Sequence, residues 1–255
     1  MHRIAVGLVI AVLYSAGAPG SAAALPSGCQ AATLATVHLY LASGDGCDSI
    51  GGTHGTLSGE ATFAGPAPIQ AFDLNGSTAF VDLGNTAFTP SRGSLTVAAW
   101  VRTRPLQRST PPAYLQQAAI VTKWGQSPST DSYGLWLGNI EGTYKVFGAI
   151  GDGTSAVTRP FTADGIRPNV WAHVALTYDA TSGVQRLFVN GVAAATDTRP
   201  AGVFLSAKRT LIGREDSFKP RPFNGQIDDV LITDQALSSE VILAAYVAGL
   251  PLHVG

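Results

Sequence analysis

The chain carries little charge. Asp, Glu, Lys and Arg make up 13% of its 255 residues, as 16 basic and 17 acidic side chains, and none of the basic ones form a tract. That excludes the concentrated positive surface a nucleic-acid partner needs and the polybasic segment of a membrane-surface protein. Glutamate is scarce: Glu60, Glu141, Glu215 and Glu240 all stand alone. Glycoside hydrolysis needs two carboxylates facing one another, and no glutamate pair meets that need. Asp228 and Asp229 are neighbours in a segment that reads as a strand, so alternation would place them on opposite faces. No serine sits in a Gly-x-Ser-x-Gly elbow, and zinc spacings, phosphate loops and dinucleotide fingerprints are missing. The chain therefore reads as a non-enzyme. Two cysteines are too few for a disulfide-built scaffold.

Long apolar runs are missing too. The one near the start, Ile4 to Tyr14, is about a dozen residues, too short to span a bilayer. With Arg3 before it and Ala22-Ala23-Ala24 after it, it has the form of a secretory signal over residues 1–24. The expected mature protein is secreted, starts near Leu25 and is not inserted in a membrane. Outside the cytoplasm Cys29 and Cys47 are expected to pair, closing a loop worth about 3 kcal/mol.

What is abundant is strand signal. Short β-rich runs alternate with turns, which argues for an antiparallel sandwich or jelly roll rather than a parallel α/β sheet. Leu95 to Thr103 is the strongest run, with Leu95, Val97, Ala99 and Val101 on one face. Others are Val37–Leu41, Ala71–Leu74, Ala79–Leu83, Ile120–Trp124, Gly134–Leu137, Lys145–Ile150, His173–Tyr178, Gln185–Val189, Arg209–Gly213 and Gln226–Ile232. Asn190-Gly191 supplies the positive φ angles of a tight type I′ hairpin. One helix is expected, N-capped by Ser238, with Val241, Leu243, Ala244, Ala245 and Val247 on its apolar side and Gly249-Leu250-Pro251 as its stop. Two connections, Arg104–Ala118 and Arg214–Asn224, are long and proline-bearing, as functional loops often are.

Several segments, taken in order, resemble the laminin-G-like jelly rolls of the concanavalin A-like superfamily. They are Val37-His38-Leu39-Tyr40-Leu41, the Asp48–Leu57 loop, Leu95–Val101, Trp171–Tyr178 with Arg186–Val192, and Phe223–Ile232 followed by Ala236-Leu237-Ser238-Ser239-Glu240. The likeness runs from about Thr36 to Gly249, and the domain is expected over residues 36–255 after a short segment at 25–35. Ile50 and Gly52 depart from the family's usual Asp-x-Ser-Gly-Asn loop. The resemblance implies an all-β fold, a two-sheet antiparallel jelly-roll sandwich with one short C-terminal helix. It also implies a structural calcium ion and a binding role.

Candidate site residues follow from chemistry. Calcium takes several oxygen ligands. Asp45 and Asp48 lie in a glycine-rich loop, and Asp228 lies in an otherwise apolar strand. A sugar site needs rings for stacking and polar groups for hydroxyls, and Trp124, Tyr133 and Trp136 are the candidates, with Trp124 expected to be exposed at a strand end. The reading is a lectin-like carbohydrate-binding protein of a cell surface or extracellular polysaccharide. The alternative is a protein-interaction subunit of a secreted or surface assembly.

Overall fold

The computed structural model describes residues 29, 36–67, 69–85, 93–109, 117–154, 161–198 and 202–254. The segment expected to be the secretory signal lies outside them, as do residues 110–116 of the first proline-bearing loop.

Among the described residues the chain forms two eight-stranded sheets. The first holds β1 (Val37–Tyr40), β3 (Thr62–Ala64), β4 (Ala71–Asn75), β6 (Leu95–Thr103), β12 (Ala172–Asp179), β13 (Val184–Val189), β14 (Val192–Thr198) and β16 (Asn224–Thr233). The second holds β2 (Thr56–Ser58), β5 (Phe80–Asp82), β7 (Arg108–Ser109), β8 (Ala118–Lys123), β9 (Tyr133–Ile140), β10 (Thr143–Ile150), β11 (Phe161–Asp164) and β15 (Leu211–Ile212). Pairing is antiparallel, except that β7 lies parallel to β9. This is the two-sheet antiparallel jelly-roll sandwich that the family resemblance implied.

Alternation sets the layers. Leu95, Val97, Ala99 and Val101 of β6 all join the central core between the sheets, as read from the sequence. Tyr133, Leu135 and Leu137 of β9 meet them from the second sheet. The intervening residues turn outward and find cover of their own. Ala98, Leu39, Ala175 and Leu231 pack beneath the C-terminal helix α1 (Ser239–His253) around Ile242. Ala119, Trp124, Trp136, Phe147 and Ala149 form a third cluster on the outer side of the second sheet.

The hairpin at Asn190-Gly191 has the anticipated form, with φ of 50° and 78° and Val189 opposite Val192. The helix starts where expected, directly after Ser238, but differs in its end and in the side it buries. It runs through Pro251 to His253, and Val254 N–H closes the last turn on the Leu250 carbonyl. Its buried residues are Ile242, Gly249 and His253, while Leu243 and Val247 face solvent. Ser238 is the N-cap residue but its side chain makes no capping hydrogen bond.

Candidate functional site

The outer face of the second sheet is built from aromatic residues that alternation turns away from the core. Trp136 lies over Gly134, where a Cβ would come within 2.1 Å of the indole, so that strand position requires glycine. Trp124 stands edge-on to Trp136, with ring centroids 5.1 Å apart at 88°. Such an arrangement adds roughly 0.5–1.5 kcal/mol beyond area burial. Neither ring is open to solvent: Trp124 is 6% exposed and Trp136 is buried. The expectation of an exposed Trp124 is thus corrected, because a later segment covers this face.

That segment is the second proline-bearing loop. Its base is closed by Phe223 N–H to the Gly213 carbonyl at 2.9 Å, and its tip by Glu215 N–H to the Pro220 carbonyl at 2.7 Å. Glu215 is 1% exposed and acts as a hub. Its Oε1 accepts from Trp136 Nε1 at 2.7 Å and from Arg221 Nη1 at 2.8 Å, and its Oε2 accepts from Gln126 Nε2 and from Ser217 Oγ at 3.2 Å. A buried carboxylate is tolerated because every acceptor site is used. Asp216 accepts from Arg209 Nη2 and Arg209 N–H, each at 3.1 Å, and Arg209 Nη1 reaches Asp82 at 2.7 Å. Arg221 is held at φ 47°, and its carbonyl accepts from Ala119 N–H of β8. The loop is therefore fastened to both neighbouring strands. Phe218 at its tip is 98% exposed.

Two further titratable groups lie beside this loop. Burial lowers the Lys123 ammonium to about 8, with Asp216 acting against it, and its Nζ donates to the carbonyls of Asn85 and Lys208. Burial raises the Asp131 carboxyl to about 6, against backbone donors that include Gly125 and Ser127.

The other sequence candidates lie elsewhere. Tyr133 is a core residue, with its hydroxyl 3.3 Å from Thr210 Oγ1; burial drives its ionisation well above the ordinary tyrosine range. Cys29 and Cys47 are disulfide-bonded, with Cα atoms 5.4 Å apart. Asp45 is exposed and accepts from Cys47 N–H at 3.0 Å, which is a local turn. Asp48 is 1% exposed and accepts five hydrogen bonds, from His38 Nδ1 at 2.6 Å and from the N–H groups of Leu39, Ile50, Gly51 and Thr53. Burial pushes its carboxyl up, but His38 and these donors outweigh burial and hold it below its ordinary value. Five donors aimed at one carboxylate leave no face for a cation, so Asp48 does not fit the calcium set expected of this loop.

Asp228 sits at a β-bulge, where the pairing with β6 shifts between Asp228 and Leu231 and Asp229 adopts φ 45°. The bulge overturns the alternation assumed from sequence: ligand atoms of Asp228, Asp229 and His253 lie within 4.8 Å of one another. His253 Nε2 approaches Asp228 Oδ2 at 3.2 Å, while its Nδ1 approaches the Gly249 carbonyl at 2.9 Å. Trp100 stacks on the His253 ring at 4.4 Å. Asp228 and Asp229 are buried beneath the helix that carries His253, so this acidic pair has no room for a polysaccharide. An imidazole beside two carboxylates is also a poor match to the all-oxygen shell of calcium.

The hub at Glu215 and the exposed Phe218 were not singled out from sequence. The available sign was a glutamate and a phenylalanine set among charged residues ahead of Pro220 and Pro222.

A family model of the concanavalin A-like lectin/glucanases superfamily matches residues 75–243. No curated protein sequence matches the chain. Among solved structures, domain 4 of AbnA, a GH43 extracellular arabinanase from Geobacillus stearothermophilus solved with arabinotriose, is similar at TM-score 0.59. It is 20% identical, and the match covers 83% of this chain and 99% of that one. The CBM40 of the Ruminococcus gnavus IT-sialidase, bound to α2,3-sialyllactose, is similar at TM-score 0.54 and 16% identity, covering 69% and 96%. The receptor-binding domain of botulinum neurotoxin type G is similar at 0.57 and 18% identity, covering 83% of this chain and half of that one. At these identities the likeness establishes the fold.

Proposed function

Because the chain belongs to the concanavalin A-like lectin/glucanases superfamily, we propose that it is a secreted carbohydrate-binding protein without catalytic activity. The observation that carries this reading is the loop Gly213–Phe223, fastened by Glu215 to the outer sheet face. Ordering a loop costs about 1–2 kcal/mol per residue, and binding sites are commonly carried on loops held by a rigid scaffold. Similar domains are reported in complex with arabinotriose and with sialyllactose. Hydrolysis is disfavoured by the burial of Asp228 and Asp229, the acidic pair that the bulge brings together. The disulfide agrees with an oxidising compartment outside the cytoplasm. Among the described residues no helix is long and apolar enough to cross a membrane.

The test is binding of the purified protein to a printed array of polysaccharides and oligosaccharides that includes arabinotriose and α2,3-sialyllactose. Retention on one glycan class, displaced by the free sugar, supports the reading. Retention on none, with a stoichiometric protein captured instead from its source's medium, replaces it with the protein-interaction reading.

A further inference from the structure

We propose that Phe218 is the stacking platform on which this protein holds the face of a sugar ring, an assignment that rests on the glycan-binding reading above. Among the described residues it is the only aromatic among the large apolar side chains left open to solvent, and it is 98% exposed. A phenylalanine in that state forgoes the burial that makes aromatics favourable in folding.

The ring is presented rather than loose. Each neighbour in the tip is engaged. Asp216 is gripped by Arg209, Ser217 Oγ donates to Glu215 Oε2, and the Lys219 carbonyl accepts from Gln126 Nε2. The next residue, Pro220, closes the tip through its carbonyl. Arg221, between two prolines, is kept in a left-handed conformation that a side chain adopts only under constraint, and its guanidinium is tied back to Glu215. Proline, strain and a buried carboxylate all serve to fix the backbone on either side of one ring. A ring with two rotatable bonds on a fixed backbone loses little freedom when it binds, which favours affinity.

The surroundings choose the occupant. Along the tip the residues that flank Phe218 in the chain, Asp216, Ser217 and Lys219, are all polar. A protein hot spot of useful affinity is ringed by further contacts that exclude water, and a membrane anchor needs several apolar groups. A single flat apolar face amid hydroxyl, carboxylate and ammonium groups instead matches a pyranose or furanose, which has C–H groups on one face and hydroxyls at its edge.

The experiment uses the full chain and three variants, Phe218→Ala, Phe218→Trp and Phe218→Tyr. Their affinities for the glycan retained on the array are measured by titration calorimetry, with thermal melting alongside. Because the side chain is almost fully exposed, all three variants are expected to melt with wild type. The expected result is about a tenfold or greater loss of affinity for Phe218→Ala, as for an aromatic hot spot, with Phe218→Trp and Phe218→Tyr within about threefold of wild type. Wild-type binding that survives Phe218→Ala unchanged overturns the assignment and leaves the glycan-binding reading standing. Equal losses in all three variants overturn stacking as the mode. A folded wild type that is retained by no glycan overturns the reading and this assignment with it.

Discussion

The indole N–H of Trp136 on β9 donates to Glu215 Oε1 across 2.7 Å, joining residues 79 positions apart with both groups buried. The same oxygen accepts from Arg221 Nη1, so one atom fastens the loop to the sheet. Removing the carboxylate leaves a buried indole N–H and a largely buried guanidinium without their acceptor. Glu215→Ala is therefore expected to destabilise the protein by about 3–5 kcal/mol, as for a broken buried ion pair, measured by urea unfolding. Glu215→Gln keeps an acceptor oxygen and should cost less. Equal stabilities for wild type and Glu215→Ala would contradict the hub.

The buried imidazole of His173 gives the fold a pH dependence. Burial, with His253 nearby, lowers its pKa from 6.5 to about 3, so it stays neutral in the folded state. Between those values the unfolded chain binds a proton that the folded chain refuses. Stability from this group is complete above about pH 6.5 and is lost as pH falls toward 3. Asp131, raised to about 6, acts oppositely as pH falls through 6, so the comparison must be with a variant. The melting temperature of wild type should fall more steeply than that of His173→Phe between pH 6.5 and 4. Parallel curves would contradict a neutral buried His173.

The disulfide Cys29–Cys47 spans 18 positions. In the chain-entropy picture such a loop contributes about 3 kcal/mol. The paired Cys29→Ser, Cys47→Ser variant should lose about that much in urea unfolding. No loss would mean that the segment around Cys29 is not restrained by its partner.

Asp48 is saturated by donors, which bears on calcium. Millimolar calcium and excess chelator are expected to leave the melting temperature unchanged, whereas Asp48→Ala should destabilise by about 3 kcal/mol through five orphaned donors. A calcium-dependent rise in melting temperature that Asp48→Ala abolishes would contradict this account of the loop.

Much of the fold is written in local pattern. The outward and inward sides of β6 follow from strict alternation, and the Asn190-Gly191 turn from backbone sterics. The helix is the instructive exception. Its apolar residues lie on more than one side, so periodicity could not tell which side faces the sheet; the stacking of Tyr246 and His253 on Trp100 decides it. At Asp228 and Asp229 a bulge, invisible in the sequence, cancels the period-two rule. Trp124 and Trp136 read as candidates for an open sugar face because their cover, Glu215 and its loop, arrives some 80 to 90 residues later and through hydrogen bonds rather than an apolar signature. Phe218 lacks any pattern at all, since exposure is a property of the finished surface.

The most direct measurement is retention of the folded, disulfide-bonded protein on the printed glycan array, followed by analysis of the bound sugar for cleavage. The expected result is saturable binding to one glycan class, competed by the free sugar, with the chain length of the glycan unchanged. A folded protein that binds no glycan at millimolar sugar, or one that shortens the glycan it binds, would contradict it.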